Sequence, residues 1–239
     1  MFKIALNAGH GKGTVGKRCL KSLDPNETRE WVLNARVCEK IEEKLKAYNG
    51  YELLRIDDRT GKTDIALKTR TDKANKWGAD FYLAIHHNAG VNGGKGGGIV
   101  AIVYEKTQKT ATLEWQEALY DALIKHTGLK GNRAKGQEKA KMNLHEVRET
   151  SMPAVLLELG FMDSSTDVPI ILTDNFADKC ATAIVEVIAE KGKLTKKTVT
   201  TQSKKIYRVQ VGAYSQKSNA EVMKKKLKTA GFDAIIVEA

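Results

Sequence analysis

Proline and cysteine are scarce, at 3 residues each in a chain of 239. Cys19, Cys38 and Cys180 are widely spaced and odd in number. They form neither a disulfide framework nor a C-x-x-C metal knuckle, and they read as reduced structural thiols. Aromatic residues make up only 6% of the chain, and they are not interleaved with basic residues into a stacking platform. Single-stranded nucleic acid is therefore a poor fit as partner. No apolar run is long enough to cross a bilayer. Residues 1–7 lack the extended apolar stretch of a secretory leader and lead straight into the first motif. Low-complexity tracts are absent too. The 41% hydrophobic content suits one α/β domain of common size with a small appendage.

Acid is the minority charge, with 29 Asp and Glu against 40 Lys and Arg and a formal net charge of +11. Such an excess favours an anionic polymer as partner, whether nucleic acid, a membrane surface or an anionic cell wall. Part of it is concentrated in residues 191–205, which hold six lysines and no acid.

Strand and helix signals alternate along the first 190 residues. Residues 3–6 form a short apolar strand that ends in Asn7-Ala8-Gly9-His10-Gly11. Asp24-Pro25-Asn26-Glu27 looks like a helix start, with a cap, a proline at the first position and a carboxylate at the third. Leu33, Val37, Ile41 and Leu45 then form an apolar stripe. Residues 52–56 read as strand, 65–77 as helix, 81–85 as a buried strand running into His86-His87-Asn88-Ala89, and 99–104 as strand. Residues 110–126 read as helix, 154–159 as strand and 175–191 as helix. This order predicts an open, mainly parallel twisted α/β sheet flanked by helices over residues 1–191. Composition changes at Gly192, and residues 192–205 read as a basic linker. Residues 206–239 show a β-α-β pattern, with Tyr207, Val209 and Val211 alternating, Ser218-Asn219-Ala220-Glu221 as a capping box, and a strand at 232–237. So short a module is expected to pair with another copy or dock on something.

In open α/β sheets, ligands bind beyond the carboxyl ends of the strands. His10, His86 and Glu158 all fall there. A hydrolytic zinc site needs three protein ligands and one open position, and two imidazoles with one carboxylate would supply them. The carboxylate could be Glu27 or Glu30. Glu27 already has a task in the capping box, whereas Glu30 lies in line with Leu33, Val37 and Ile41 and faces inward, where it needs a partner. Glu158, at the end of an apolar strand, is either a structural ion-pair partner or a catalytic group with a raised pKa. Gly11-Lys12-Gly13-Thr14-Val15-Gly16-Lys17 imitates a phosphate-binding loop, but Arg18 stands at the magnesium-binding hydroxyl position and no helix opens there. His126 and His145 are isolated and read as solvated or structural.

Asn7-Ala8-Gly9-His10-Gly11, Glu30-x-x-x-Asn34, Ala84-Ile85-His86-His87-Asn88-Ala89 and Pro153-Ala154-Val155-Leu156-Leu157-Glu158-Leu159-Gly160-Phe161 together resemble the zinc N-acetylmuramoyl-L-alanine amidases of the amidase-3 type, which include many phage endolysins. The resemblance covers roughly residues 2–190. It implies one zinc ion held by His10, Glu30 and His86, with Glu158 as the catalytic carboxylate. It also implies cleavage of the amide bond between N-acetylmuramic acid and L-alanine in peptidoglycan. His87 and Asn88 beside the metal site, and Arg70 and Arg133 (with Asn75) near the cleft, are expected to meet substrate, although His87 could merely pack. The family often has Asp where Asn7 stands and Ser where Ala84 stands. A zinc peptidase acting within the stem peptide, or a non-catalytic wall-binding protein, are the alternative readings. The tail from Tyr207 to Phe232 resembles the first half of a SPOR repeat, a glycan-binding module, which suggests a homodimer that completes the module from two chains. The basic linker suggests contact with anionic wall polymers. The expected route is synthesis in the cytoplasm, without a signal peptide, and access to the wall after holin-type export or lysis.

Overall fold

Alternation of short apolar strands with amphipathic helices carries through to the computed structural model, which describes residues 1–133, 135–197 and 209–238. The chain divides into two units, Met1–Lys197 and Thr198–Ala239. In order, the first contains β1 (Phe2–Ala8), α1 (Glu30–Leu45), β2 (Tyr48–Asn49), β3 (Tyr51–Arg55), α2 (Leu67–Trp77), β4 (Phe81–Asn88), β5 (Ile99–Tyr104) and α3 (Thr110–Thr127). It continues with β6 (Lys139–Met142), α4 (His145–Arg148), β7 (Ala154–Phe161), α5 (Val168–Ile171), α6 (Asp174–Lys191) and β8 (Thr195–Lys196). The second unit contributes α7 (Lys217–Thr229).

Six strands form one sheet in the order β3-β1-β4-β7-β5-β6. The strands β3, β1, β4 and β7 run parallel, β5 turns antiparallel to β7, and β6 runs parallel to β5. The sheet is thus open and mainly parallel, as the alternation of elements predicts. Its central strands are apolar nearly throughout because both faces are covered. The pleat sends Ile4, Leu6, Phe81, Leu83, Ile85, Val155 and Leu157 into the larger core, beneath α1, α3 and α6. It sends Ala5, Tyr82, Ala84, Ala154 and Leu156 to the opposite face, against Ala74 of α2 and Val147 beside α4's glutamate. Phe81 stacks on Trp115 with ring centroids 3.8 Å apart.

The apolar stripe of α1 is buried as expected, but its start is not where the capping signal points. The Asp24 carboxylate accepts from the amides of Asn26 and Thr28 at 3.1 and 2.7 Å, closing a turn on itself. Glu27 has φ +47°, outside any helix, and α1 begins only at Glu30. Local side-chain to backbone bonds offer the chain an alternative to helix, and here the turn prevails. Glu30, and not Glu27, therefore brings a carboxylate to the positive end of the helix.

The segment expected as a linker is partly built into the first unit. The Leu194 amide donates to the Ala189 carbonyl, β8 pairs antiparallel with β2, and the Lys197 amide donates to the Ala47 carbonyl. The remainder, 198–205, lies outside the described residues, as does Tyr207. Among the described residues of the second unit, the expected β-α-β pattern is met by its helix alone. Gln216 precedes α7 without a side-chain cap, so Ser218 and Glu221 lie inside the helix. Neither 209–214 nor 232–237 is strand. No residue of α7 is buried, and Val209, Val211, Phe232, Ile235 and Val237 are exposed. A strand needs a neighbour to take up its backbone groups, and this segment offers too little apolar surface to hold a pair together. No described helix is long and apolar enough to cross a membrane.

All three cysteines are free and buried, and burial pushes the Cys19 thiol up to about 12 and moves those of Cys38 and Cys180 upward as well. The expected outcome is that an aromatic disulfide reagent at about pH 8 labels essentially no thiol in the native protein, because thiolate is the reacting form. The same reagent should release three equivalents after denaturation. Rapid labelling of the native chain would contradict this packing.

Candidate metal centre and catalytic cleft

Because β1, β4 and β7 are adjacent and parallel, their carboxyl ends lie side by side. On β4 the pleat that buries Tyr82 and Ala84 in the smaller core continues to His86, and the register sets His86 opposite Glu158 of β7. His87 points to the other face. The loop leaving β1 then closes over the His86 ring. Gly9 makes this possible, since a Cβ there would stand 2.1 Å from His86 Cε1. His10 follows with φ +65°, a left-handed conformation that a β-carbon disfavours. The kink brings the His10 ring edge-on to that of His86 at 4.9 Å between centroids. The first turn of α1 adds Glu30, whose Oε1 is 3.0 Å from His86 Nδ1 and 3.4 Å from His10 Nε2.

One donor atom from each of His10, Glu30 and His86 lies within 4.8 Å of the others. Glu27 takes no part: its carboxylate pairs with Arg18 at 3.1 Å. The donor set, two imidazole nitrogens and one carboxylate oxygen, is of the kind that zinc takes. A second observation agrees. Glu30 Oε2 and Glu158 Oε2 are both buried without a hydrogen-bond partner, a costly state that a cation or a reacting proton would relieve. Lys17, on the rim, reaches to 3.6 Å from Glu30 Oε2.

The protonation states follow from burial and neighbours. Burial lowers His10 to about 4, aided by His86 and Lys17 against the opposing pull of Glu30, which leaves a neutral imidazole able to ligate. Burial also disfavours a charged His86, but hydrogen bonds to Glu146 and Glu30 outweigh it and move that ring upward. In turn, His86 and Lys17 hold the Glu30 carboxyl below its usual range despite its burial. Glu158 differs. Burial, reinforced by the charges of Glu30 and Glu146, raises it to about 7 against the opposing pull of His86 and Lys17.

Glu146 was not signalled by the sequence. It lies on the four-residue helix α4, 3% exposed, with Oε2 at 3.3 Å from His86 Nε2. The only hint is an acid between His145 and Val147 just upstream of β7, which is indistinguishable from a surface charge until the fold is known. The cleft beside the cluster has a volume of about 350 Å³ and is lined by His10, Asp64, Ile65, Arg70, His86 and Glu146 among others.

The four residues expected to meet substrate are placed differently. Arg70 lines the cleft, but its guanidinium is buried and donates to Asn7 Oδ1, Asp64 Oδ1 and the carbonyls of Ile65, Ala8 and His10. It holds the His10 loop in place. His87 is buried, with Nδ1 2.8 Å from Asn34 Oδ1 of α1, and burial lowers it to about 3; it packs. Asn88 ends β4 half-buried, its carbonyl accepting from the Met162 amide. Arg133 donates to the carbonyls of Lys95 and Gly96 and pairs with Asp167, clamping the glycine-rich loop. Buried polar groups must be partnered, and in this fold protein groups supply the partners. Asn75 bridges to the Glu149 carbonyl and to Ser151, away from the cluster.

Residues 4–190 match the family model described as N-acetylmuramoyl-L-alanine amidase, and residues 181–238 match that of the SPOR domain. The second match begins within α6, which packs in the first unit. The sporulation-specific N-acetylmuramoyl-L-alanine amidase of Bacillus subtilis (strain 168) is 31% identical over 238 residues, which are 99% of this chain and 85% of that protein. An endolysin of Bacillus phage SPP1 is 31% identical over 196 residues, 82% of this chain and 68% of that protein. The crystal structure of N-acetylmuramoyl-L-alanine amidase from Clostridium difficile 630 aligns with a TM-score of 0.69 at 25% identity, covering 79% of this chain and 95% of that one.

Two outcomes are expected from this geometry. Gly9→Ala should displace the His86 ring and weaken zinc binding at least about tenfold, as read by calorimetric titration, while the circular dichroism spectrum is kept. An unchanged affinity would show that the close approach is not needed. Glu158 is favoured neutral in the fold, so its contribution to stability is complete below the unfolded value of 4.5 and is lost as pH rises through about 7. Glu158→Gln should therefore raise the unfolding temperature of the metal-free protein by about 5 °C near pH 8 and by little near pH 4. Equal effects at the two pH values would argue against a destabilising ionised carboxylate.

Proposed function

The chain belongs to the N-acetylmuramoyl-L-alanine amidase family, and on that premise we propose that it works with one zinc ion held by His10, Glu30 and His86 and with Glu158 as its catalytic carboxylate. The reaction is hydrolysis of the amide bond between N-acetylmuramic acid and the L-alanine of the stem peptide, and the partner is peptidoglycan of the bacterial cell wall. The observation that carries the metal reading is the convergence of three donors from three separate elements at the carboxyl ends of the strands, with two buried carboxylate oxygens there that have no hydrogen-bond partner.

When bound, the ion supplies Lewis acidity, polarising the scissile carbonyl and making a water acidic enough to attack near neutral pH. The chain's own groups do the rest. His10, neutral because it is buried, keeps a lone pair available at physiological pH. Glu158 takes the proton of the attacking water on its partnerless Oε2 and returns it to the departing L-alanine nitrogen. A carboxyl raised to about 7 is matched to both duties, since it gives up and accepts a proton with similar ease near neutrality. Arg70 keeps the His10 loop closed through its bonds to the carbonyls of Ala8 and His10.

The finer reading of the tail also belongs to this proposal. Residues 209–238 leave Val209, Val211, Phe232, Ile235 and Val237 exposed, and the pairing of two tails would cover them and complete a glycan-binding module. The lysines within residues 191–205 would add attraction to anionic wall polymers, which salt would weaken.

Digestion of purified walls followed by identification of the new amine tests the core of the proposal. The expected product is a free L-alanine amino end beside an intact muramyl lactyl group. Chelator should abolish its formation, and Glu158→Ala should lower the rate at least about a hundredfold. New ends within the stem peptide would identify a peptidase instead, and activity that survives chelation would sink the zinc reading.

A further inference from the structure

We propose that Glu146 is a positioning residue for the metal, holding the His86 ring so that Nδ1 faces His10 and Glu30. The inference rests on the zinc reading above and deepens it.

An imidazole carries its two nitrogens on different edges, so only one of them can meet an ion. The other, if buried, needs a partner of its own. His86 is 8% exposed, with Nδ1 3.0 Å from Glu30 Oε1 and Nε2 3.3 Å from Glu146 Oε2. A proton kept on Nε2 and donated to Glu146 makes Nδ1 the nitrogen that gives up its proton to an incoming ion, on the side where the other two ligands stand. Rotation of the ring about its Cβ–Cγ bond would put a carbon there instead, and would cost Nε2 its only acceptor. Glu146 is itself immobilised. Its Oε1 accepts from Tyr82 Oη at 2.6 Å and from Asn7 Nδ2 at 2.5 Å, and Asn7 Oδ1 accepts from Arg70 Nη1 at 2.8 Å. The chain Arg70–Asn7–Glu146–His86 thus crosses α2, β1, α4 and β4, tying the ring to elements that cannot move independently of the sheet. His10 has no equivalent support, since Asp64 stands 3.9 Å from its Nδ1, beyond hydrogen-bond reach. Among the described residues, Glu146 is the group that meets Nε2 of the His86 ring on the side away from the other two ligands.

The test is the zinc dissociation constant of the full chain, measured by competition with a chromophoric chelator, together with the visible spectrum of the cobalt(II) form. Glu146→Ala should weaken zinc binding about 10- to 100-fold and alter the cobalt spectrum. Glu146→Gln, which keeps an acceptor on the same stem, should recover affinity to within about fivefold of the parent, and Tyr82→Phe should weaken it a few-fold. A Glu146→Ala chain that binds zinc within about twofold of the parent, with an unchanged cobalt spectrum, would overturn the proposal. So would a Gln variant no better than Ala, because that points to charge alone and not to ring orientation. If the Ala variant does not fold, the Gln and Tyr82→Phe chains decide: parent-like affinity and spectrum in Tyr82→Phe with a severe loss in Gln overturns it. A parent chain that takes up no zinc at all refutes the metal reading itself, an outcome distinct from any of these.

Discussion

Parallel pairing of β1, β4 and β7 is the constraint on which the rest of this molecule depends. It lines up three carboxyl ends along one edge and, through the pleat, presents Asn7, His86 and Glu158 on the same face. Side chains alternate strictly along a strand, so a shift of one residue would send His86 into the larger core and His87 into the cleft. The apolar residues preceding them prevent that shift. Phe81, Leu83 and Ile85 belong to the core beneath α1, α3 and α6, and moving them out would expose a large apolar surface. The hydrophobic effect thus chooses which of two adjacent histidines meets His10 and Glu30.

What that register creates is electrostatically expensive. Glu30, Glu146 and Glu158 are gathered around His86 beneath one edge of the sheet. A buried carboxylate is tolerated only with a cation, donors or a proton. Glu146 has donors, Glu30 has the imidazoles, and Glu158 resolves its position by favouring the protonated form. The same burial that destabilises an ionised Glu158 sets its acid strength close to neutrality.

The sheet order of elements, the buried stripe of α1 and the places of His10, His86 and Glu158 at strand ends were all legible in the linear pattern, because hydrophobic periodicity and strand-end position are local properties. Glu30 was legible for the same reason, lying in register with Leu33 and Val37. The start of α1 was not, since Asp24 could equally cap a helix or close a turn, and the choice goes with long-range backbone bonds such as Cys19 to Thr28 and Glu30 to Lys17. In the tail, residues 209–214 and 232–237 are not strand, although their pattern allows it. Alternating valines mark a segment able to be a strand, but a strand exists only when another backbone pairs with it.

By itself the sequence determined the alternating architecture, the family, and which side chains have the chemistry to hold a metal and move a proton. Only the tertiary structure decided which of them meet. Glu146 is 60 residues from His86 along the chain, and Arg70, His87 and Arg133 found protein partners where the pattern suggested substrate. These assignments depend on long-range packing and on the rule that buried polar groups must be satisfied by whatever the fold brings near, which no local pattern encodes.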